Sequence, residues 1–332
     1  MRTFDYLAPD SVDTAVERLG ADPDAKLLAG GTNLVDLMKL GVCSPETLID
    51  IGALPLDQIE LIESGDLEIG ANVRNSDLAA HPVVRTLYPV LSQALLAGAS
   101  GQLRNMATTG GNLFQRTRCP YFMDTAKACN KREPGSGCSA VGGVNRDMAI
   151  LGASTQCVAT HPSDMAVALA VLDPKLEILG PAGRRFVPFD SLYRLPGDHP
   201  ELDTTLERDD VVVSLAIPAL RAARTSTYRK VRDRASFAFA LVSVAAVLEV
   251  RDGMVSAARI ALGGVAHKPW RARAAEQQLI GRAATRPEFA AAVDLELEAA
   301  QALSDNQFKI PLVRSLVTQT LVQLAEGQVA QR

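Results

Sequence analysis

The stretch Lys26-Leu27-Leu28-Ala29-Gly30-Gly31-Thr32-Asn33-Leu34 decides how the N-terminal part of this chain folds. Lys26 to Ala29 is a short apolar run of strand character, and it delivers two glycines and then Thr-Asn to the predicted start of a helix from Leu34 to Leu40. Upstream, Ser11 or Asp13 can cap a helix over Ala15 to Leu19, and downstream Leu48 to Ile51 reads as a second strand. The first fifty or so residues therefore read as a small βαβ unit. A glycine pair at a strand-to-helix turn exposes backbone N–H groups where the helix dipole is positive, which suits a phosphate or pyrophosphate. The other reading is an ordinary tight turn with Thr32 or Asn33 as a helix cap. The spacing is neither the dinucleotide fingerprint nor the P-loop.

A second glycine-paired turn, Ala107-Thr108-Thr109-Gly110-Gly111-Asn112-Leu113, stands further along. Two such turns can clasp a dinucleotide from both sides, with Thr108 and Asn112 as side-chain donors, or each can be a well-capped turn. His161-Pro162-Ser163-Asp164 follows a predicted strand from Cys157 to Thr160, and Ser163 or Asp164 is a natural N-cap. No nucleophile pattern accompanies His161, so it is expected to be structural.

Four of the five cysteines fall within 39 residues, spaced C-x9-C-x8-C-x18-C from Cys119 through Cys129 and Cys138 to Cys157. Three of them lie in residues 115 to 150, which have neither helical nor strand period over most of their length, and a loop that long is uncommon unless something pins it. Thiolates bind zinc or iron-sulfur clusters. No C-x2-C pair selects the metal, and two disulfides or unconnected buried thiols are the alternatives. Cys43 stands apart and is expected to pack as a small hydrophobe.

The rest of the chain is ordinary globular material. Its 332 residues are 47% hydrophobic and 22% charged, with a net charge of −4. That balance gives no pull towards nucleic acid or acidic lipid. The longest apolar run, Phe237 to Leu248, has twelve residues including Ser243, short of the ~20 that span a membrane. Asp5, Asp10 and Asp13 sit where a secretory signal needs apolar residues, so no export signal is expected. Strands are expected at Leu67 to Ala71, Leu176 to Leu179 and Val211 to Ile217, and helices from Ser76, over Val84 to Ala97 and over Met165 to Leu172. Beyond the stretch from Pro218 to Thr227 come strand-like runs at Tyr228 to Val231, Leu241 to Val250 and Val255 to Leu262, the last two joined by an Asp252-Gly253 hairpin turn. From Trp270 the chain is alanine-rich and helical, with breaks near Pro287 and Pro311. Strands first and helices after predict a separate α+β domain.

Taken together, Leu27 to Lys39 (LLAGGTNLVDLMK), Thr108 to Tyr121 (TTGGNLFQRTRCPY), His161 to Leu169 (HPSDMAVAL), Tyr228 to Ala246 (YRKVRDRASFAFALVSVAA) and Ala261 to Arg271 (ALGGVAHKPWR) resemble the FAD-binding medium subunit of the molybdenum hydroxylases. The resemblance covers essentially the whole chain. The segments carrying Cys119 and Cys138 look specific to the bacterial periplasmic aldehyde oxidoreductase branch, which has an additional 4Fe-4S cluster.

The resemblance implies an α+β architecture. A two-subdomain FAD-binding domain (1–222, subdomains about 1–55 and 56–222, cysteine-bearing loop 115–157) precedes a smaller C-terminal α+β domain (223–332) of a three-stranded sheet plus helices. It implies that Lys26, Leu27, Leu28, Ala29, Gly30, Gly31, Thr32, Asn33 and Leu34 wrap the FAD pyrophosphate, with Thr108, Gly111 and Asn112 facing them. Asp164 becomes a polar contact to FAD, Lys230 an edge residue of the flavin site, and Cys119, Cys129, Cys138 and Cys157 the 4Fe-4S ligands.

It further implies a heterotrimer in which a molybdenum cofactor-binding large subunit oxidises an aldehyde and a 2Fe-2S small subunit relays electrons to this chain. An external acceptor is the final recipient, and no residue of this chain is catalytic towards the aldehyde. Members of the branch reach the periplasm folded, on a partner's twin-arginine signal, the cytoplasm being the alternative. Two competing expectations remain. One is a xanthine dehydrogenase-like subunit for a purine or heterocycle hydroxylase using NAD; the other is a zinc-stapled binding module without flavin.

Overall fold

The computed structural model describes residues 1–329; residues 330–332, part of the expected C-terminal domain, lie outside the described residues. The βαβ reading of the N-terminus holds. Strands Asp5–Leu7, Thr47–Asp50 and Lys26–Leu28 form a parallel three-stranded sheet with Thr47–Asp50 in the centre. The helix Val12–Ala21 is capped by Ser11, whose side chain accepts from the Thr14 N–H, and it buries Ala15, Val16 and Leu19. That apolar face packs with Ile49 and Ile51 onto Leu179, Val211 and Val213, so the first subdomain rests on the sheet of the second.

The second sheet is five-stranded and antiparallel, in the order Ile59–Leu61, Leu67–Gly70, Val211–Ile217, Lys175–Gly180, Gly183–Pro188. Its most buried helix is Asp164–Leu172, all nine residues of which are buried. A helix apolar on every side belongs inside a core, and this one lies between two domains. Its neighbours include Tyr228, Ala245, Val247 and Ala261 of the C-terminal sheet. Arg271 Nη1 donates to Ala170 O at 2.7 Å and Arg259 Nη1 to Val171 O at 3.1 Å, so arginines of the C-terminal domain satisfy the free carbonyls at its end.

The C-terminal sheet runs Trp270–Arg271, Met254–Gly263, Val242–Arg251, Ser226–Val231. Its three long strands were expected; the two-residue fourth pairs through Leu262↔Trp270 and is too short to leave a pattern in sequence. Asp252 and Gly253 turn the hairpin with φ of 50° and 76°, as a tight two-residue turn requires. The helices after Trp270 are interrupted at 280–285 and 298–308, near Pro287 and Pro311 as expected; Pro287 sits in the first turn of Arg286–Leu297, where its missing N–H costs nothing. Pro311 likewise lies in the first turn of Lys309–Val329. Among the described residues, no helix is long and apolar enough to cross a membrane.

The loop from 115 to 150 contains two four-residue helices, Pro120–Met123 and Ser139–Gly142, and one isolated bridge, Cys129↔Cys138. The strand expected from Cys157 to Thr160 does not form. Val158 O accepts from the Ala149 N–H, which lies in a loop rather than a strand, so no ladder can propagate.

The end of this loop is bolted to the C-terminal domain by Lys309, which is fully buried and donates to Met148 O at 2.9 Å and Gly264 O at 2.7 Å. Burial pushes its ammonium down from 10.5 to about 8. Between those values the unfolded chain holds a proton that the folded chain has released, so this group's contribution to stability rises with pH across that window. In Lys309→Met the two carbonyls lose their donor. The stability lost is expected to be larger at about pH 9.5 than at about pH 7, by roughly 2 kcal/mol. Urea unfolding of both proteins at the two pH values measures it, and a loss independent of pH would contradict the assignment.

Candidate functional site

The two glycine turns meet. A Cβ on Gly30 would collide with Met106 O and stand 2.6 Å from the Met106 carbonyl carbon, so the first turn is pressed against the backbone that leads into the second. Gly31 adopts φ +69°, a left-handed conformation that other residues rarely accept. On the other side, Thr108 Oγ1 accepts from the Gly111 N–H at 3.1 Å and caps Thr109–Leu113. Gly110 lies against Ala71.

Between the turns is a cavity of about 520 Å3 lined by Lys26, Leu27, Ala29 through Leu34, Thr108 and Gly111, among others. Leu28 and Asn112 do not line it. Leu28 lies in the strand, its O accepting from Ile51 N, while Asn112 Oδ1 accepts from Ser163 Oγ at 2.5 Å and Gln115 Nε2 at 2.8 Å. Asn112 thus braces Ser163, which caps the buried helix at Asp164 through the Ala166 N–H.

A second cavity of about 440 Å3 shares Thr160, His161 and Pro162 with the first. Asp164 lines it; Lys230 does not, but stands behind Asp164, its Nζ 2.7 Å from Asp164 Oδ2. The Tyr228 hydroxyl donates to Asp164 Oδ1. Ser243, 1% exposed, also lines this cavity, and its Oγ has no partner.

Several donors around these cavities are buried with nothing to bind. Asn33 does not cap its own helix. Its Oδ1 accepts from the Arg116 N–H at 2.9 Å, which leaves Nδ2 without a partner. Arg116 Nη2 lines the first cavity and is likewise unpartnered, and Arg118 Nε is so in the second. Burial pushes His161 down to about 4 and His267 to about 3, so both rings are neutral near pH 7. Buried polar groups left unpaired are costly. Two glycine turns, a long divided cavity and orphaned N–H donors together fit an elongated anionic cofactor, and FAD in particular.

Arg116, Lys131, Asp203 and His267 are site residues that sequence reading did not isolate. Their only signal was position, Arg116 and Lys131 lying close to Cys119 and Cys129.

The four clustered cysteines line one small separate cavity, with Thr117, Phe122 and Lys131 in its wall. All five cysteines are unpaired. Burial raises the Cys119 thiol to about 11 and the Cys157 thiol to about 12. Among the described residues no group of three or more His, Cys, Asp or Glu is placed to hold a single metal ion. Ligands of one zinc crowd around a common point at ~2.3 Å, whereas those of a cubane cluster stand further apart with the cluster between them. Cys43 is half-buried and lines the first cavity.

Comparison with known proteins agrees with this geometry. A family profile described as the FAD binding domain in molybdopterin dehydrogenase matches residues 2–220, and one described as the CO dehydrogenase flavoprotein C-terminal domain matches residues 226–324. The chain is 49% identical over 324 residues to the aldehyde oxidoreductase FAD-binding subunit of Escherichia coli (strain K12), covering 97% of this chain and 98% of that one. It is 31% identical to the carbon monoxide dehydrogenase medium chain of Hydrogenophaga pseudoflava, covering 96% of each. Among solved structures, quinoline 2-oxidoreductase from Pseudomonas putida 86 superposes with a TM-score of 0.76 at 25% identity over 98% of both chains.

Proposed function

The chain belongs to the FAD-binding medium subunits of the molybdenum hydroxylases, and from that membership we propose that it is the FAD and iron-sulfur electron-transfer subunit of a heterotrimeric aldehyde oxidoreductase. A molybdenum cofactor-binding large subunit oxidises the aldehyde to a carboxylic acid, a 2Fe-2S small subunit delivers the electrons, and this subunit passes them to an external acceptor. The observation that carries the FAD assignment is the contact of the two glycine turns, at Gly30 and Met106, beside buried donors that lack partners. The aldehyde assignment draws on the 49% identity to an aldehyde oxidoreductase subunit.

When bound, FAD supplies the ability to take electrons singly and give them up in pairs. The residues of the chain bind and orient it. The turn from Gly30 to Asn33 would hold the phosphates, braced by the turn at Thr108 to Gly111, whose Thr109, Gly110 and Gly111 N–H groups are bonded within the chain. Asp164, fixed by Tyr228 and Lys230, presents a carboxylate to the second cavity. Cys119, Cys129, Cys138 and Cys157 hold the 4Fe-4S cluster, whose thiolates ionise on binding despite the burial that raises two of the free thiols. The assembled complex is exported to the periplasm on a partner's signal, which cell fractionation tests.

The purified complex is expected to show flavin absorbance with a broad iron-sulfur shoulder. Colourless protein after anaerobic purification with cofactors supplied would sink the proposal. Turnover with aromatic aldehydes but not hypoxanthine separates it from a purine hydroxylase.

A further inference from the structure

The cysteine cavity and the first flavin cavity share a wall. Thr117, Phe122 and Lys131 line both. Lys131 follows Cys129 by two residues, and its side chain, 1% exposed, reaches through that wall. Its Nζ donates to Pro200 O at 2.5 Å and to Asp203 Oδ1 at 2.5 Å. The other carboxylate oxygen, Oδ2, lies 2.5 Å from Arg116 Nε. Asp203 is therefore gripped by one cation from the cysteine loop and one from the flavin cavity.

Arg116 is the node of this arrangement. Its guanidinium stands over the Phe122 ring, 5.0 Å from the centroid, and its backbone N–H is held by Asn33 of the first glycine turn. Its Nη2 is buried at the flavin cavity with no partner. A planar cation fixed on three sides with a free donor edge is suited to a phosphate. Two cations share the Asp203 carboxylate, with Glu201 also in the cavity wall, so what the arrangement offers a phosphate is the free Nη2 edge of Arg116.

We propose that Arg116 is a phosphate-binding residue of the flavin site and that Lys131 and Asp203 are its positioning residues, forming a strut through which the cysteine loop controls how tightly FAD is held. This rests on the FAD and 4Fe-4S reading above. A filled cysteine cavity fixes Cys129 and with it Lys131; an empty one releases the strut and lets Arg116 swing on its remaining contacts. The coupling is reciprocal, so bound FAD also protects the iron against chelation.

The test follows FAD release from the purified complex by the rise in free flavin fluorescence, with iron measured in the same samples. Lys131→Met is expected to speed release on the order of tenfold, and Lys131→Arg to restore most of the wild-type rate. Arg116→Gln, at a half-exposed position, provides the same reading if Lys131→Met fails to fold. Chelating the iron from wild type should speed release by a similar factor, and should add nothing in Lys131→Met, because both act through one element. Release unchanged in both Lys131→Met and Arg116→Gln overturns the proposal, as does full additivity of chelation and Lys131→Met. Wild type purified without iron sinks the cluster reading alone, since the release rates of the variants still decide whether the strut exists.

Discussion

Gly30→Ala is expected to yield a chain that folds but retains little FAD. The added methyl would meet the Met106 carbonyl and stand close to Ala107 Cα, all backbone atoms that have no rotamer to escape into. The two turns must separate. By comparison with overpacked sites this costs at least ~2–3 kcal/mol, which amounts to roughly 30- to 150-fold in affinity if it falls on the FAD-binding geometry. The measurement is the flavin-to-protein ratio of the purified complex, with Gly101→Ala as the control, because a Cβ there meets nothing within 4 Å. A Gly30→Ala protein with full flavin would show that the contact between the turns is not what shapes the site.

Cys129→Ser is expected to lose the iron and to open the loop from 115 to 150. Cys129 is buried, and its N–H is held by Ser136 Oγ at 3.0 Å, so serine can keep the backbone in place while failing as a soft ligand. Without the cluster, the loop is left with its own hydrogen bonds, chiefly Asn130 to Gly137 and to Gln156 and Arg132 to the Tyr121 and Phe122 carbonyls. Limited proteolysis near the exposed Glu133 to Gly135 should then become rapid, while iron falls to background. Unchanged iron content would mean that Cys129 is not a ligand.

Much of this was legible in the sequence because it is local. The strand Val211–Ile217 opens on three consecutive valines, the Asp252-Gly253 turn names its own conformation, and the glycine pairs marked both loops of the cavity. What escaped was set by partners far away. Whether Asn33 caps its helix depends on Arg116, and what Arg116 does depends on Asp203, which comes 87 residues later in the chain. Cys157 to Thr160 has strand composition, but strand formation needs a neighbouring strand, and there the neighbours are loops. Nothing local to Lys309 marks it as buried; only the folded chain shows the two carbonyls it serves.

The two family profiles meet in the gap between residues 220 and 226, which invites treating the halves as interchangeable modules. The buried helix Asp164–Leu172 argues otherwise. It lies in the first half, yet its end is closed by Arg259 and Arg271 of the second, and Val167 Cγ2 is so near Gly263 that a Cβ there would stand 2.6 Å from it. A chimera joined at that gap would inherit one side of an interior surface and a stranger's version of the other. Recombination within this family should therefore succeed only where helix and sheet are exchanged together, and heat should melt the two halves in a single transition.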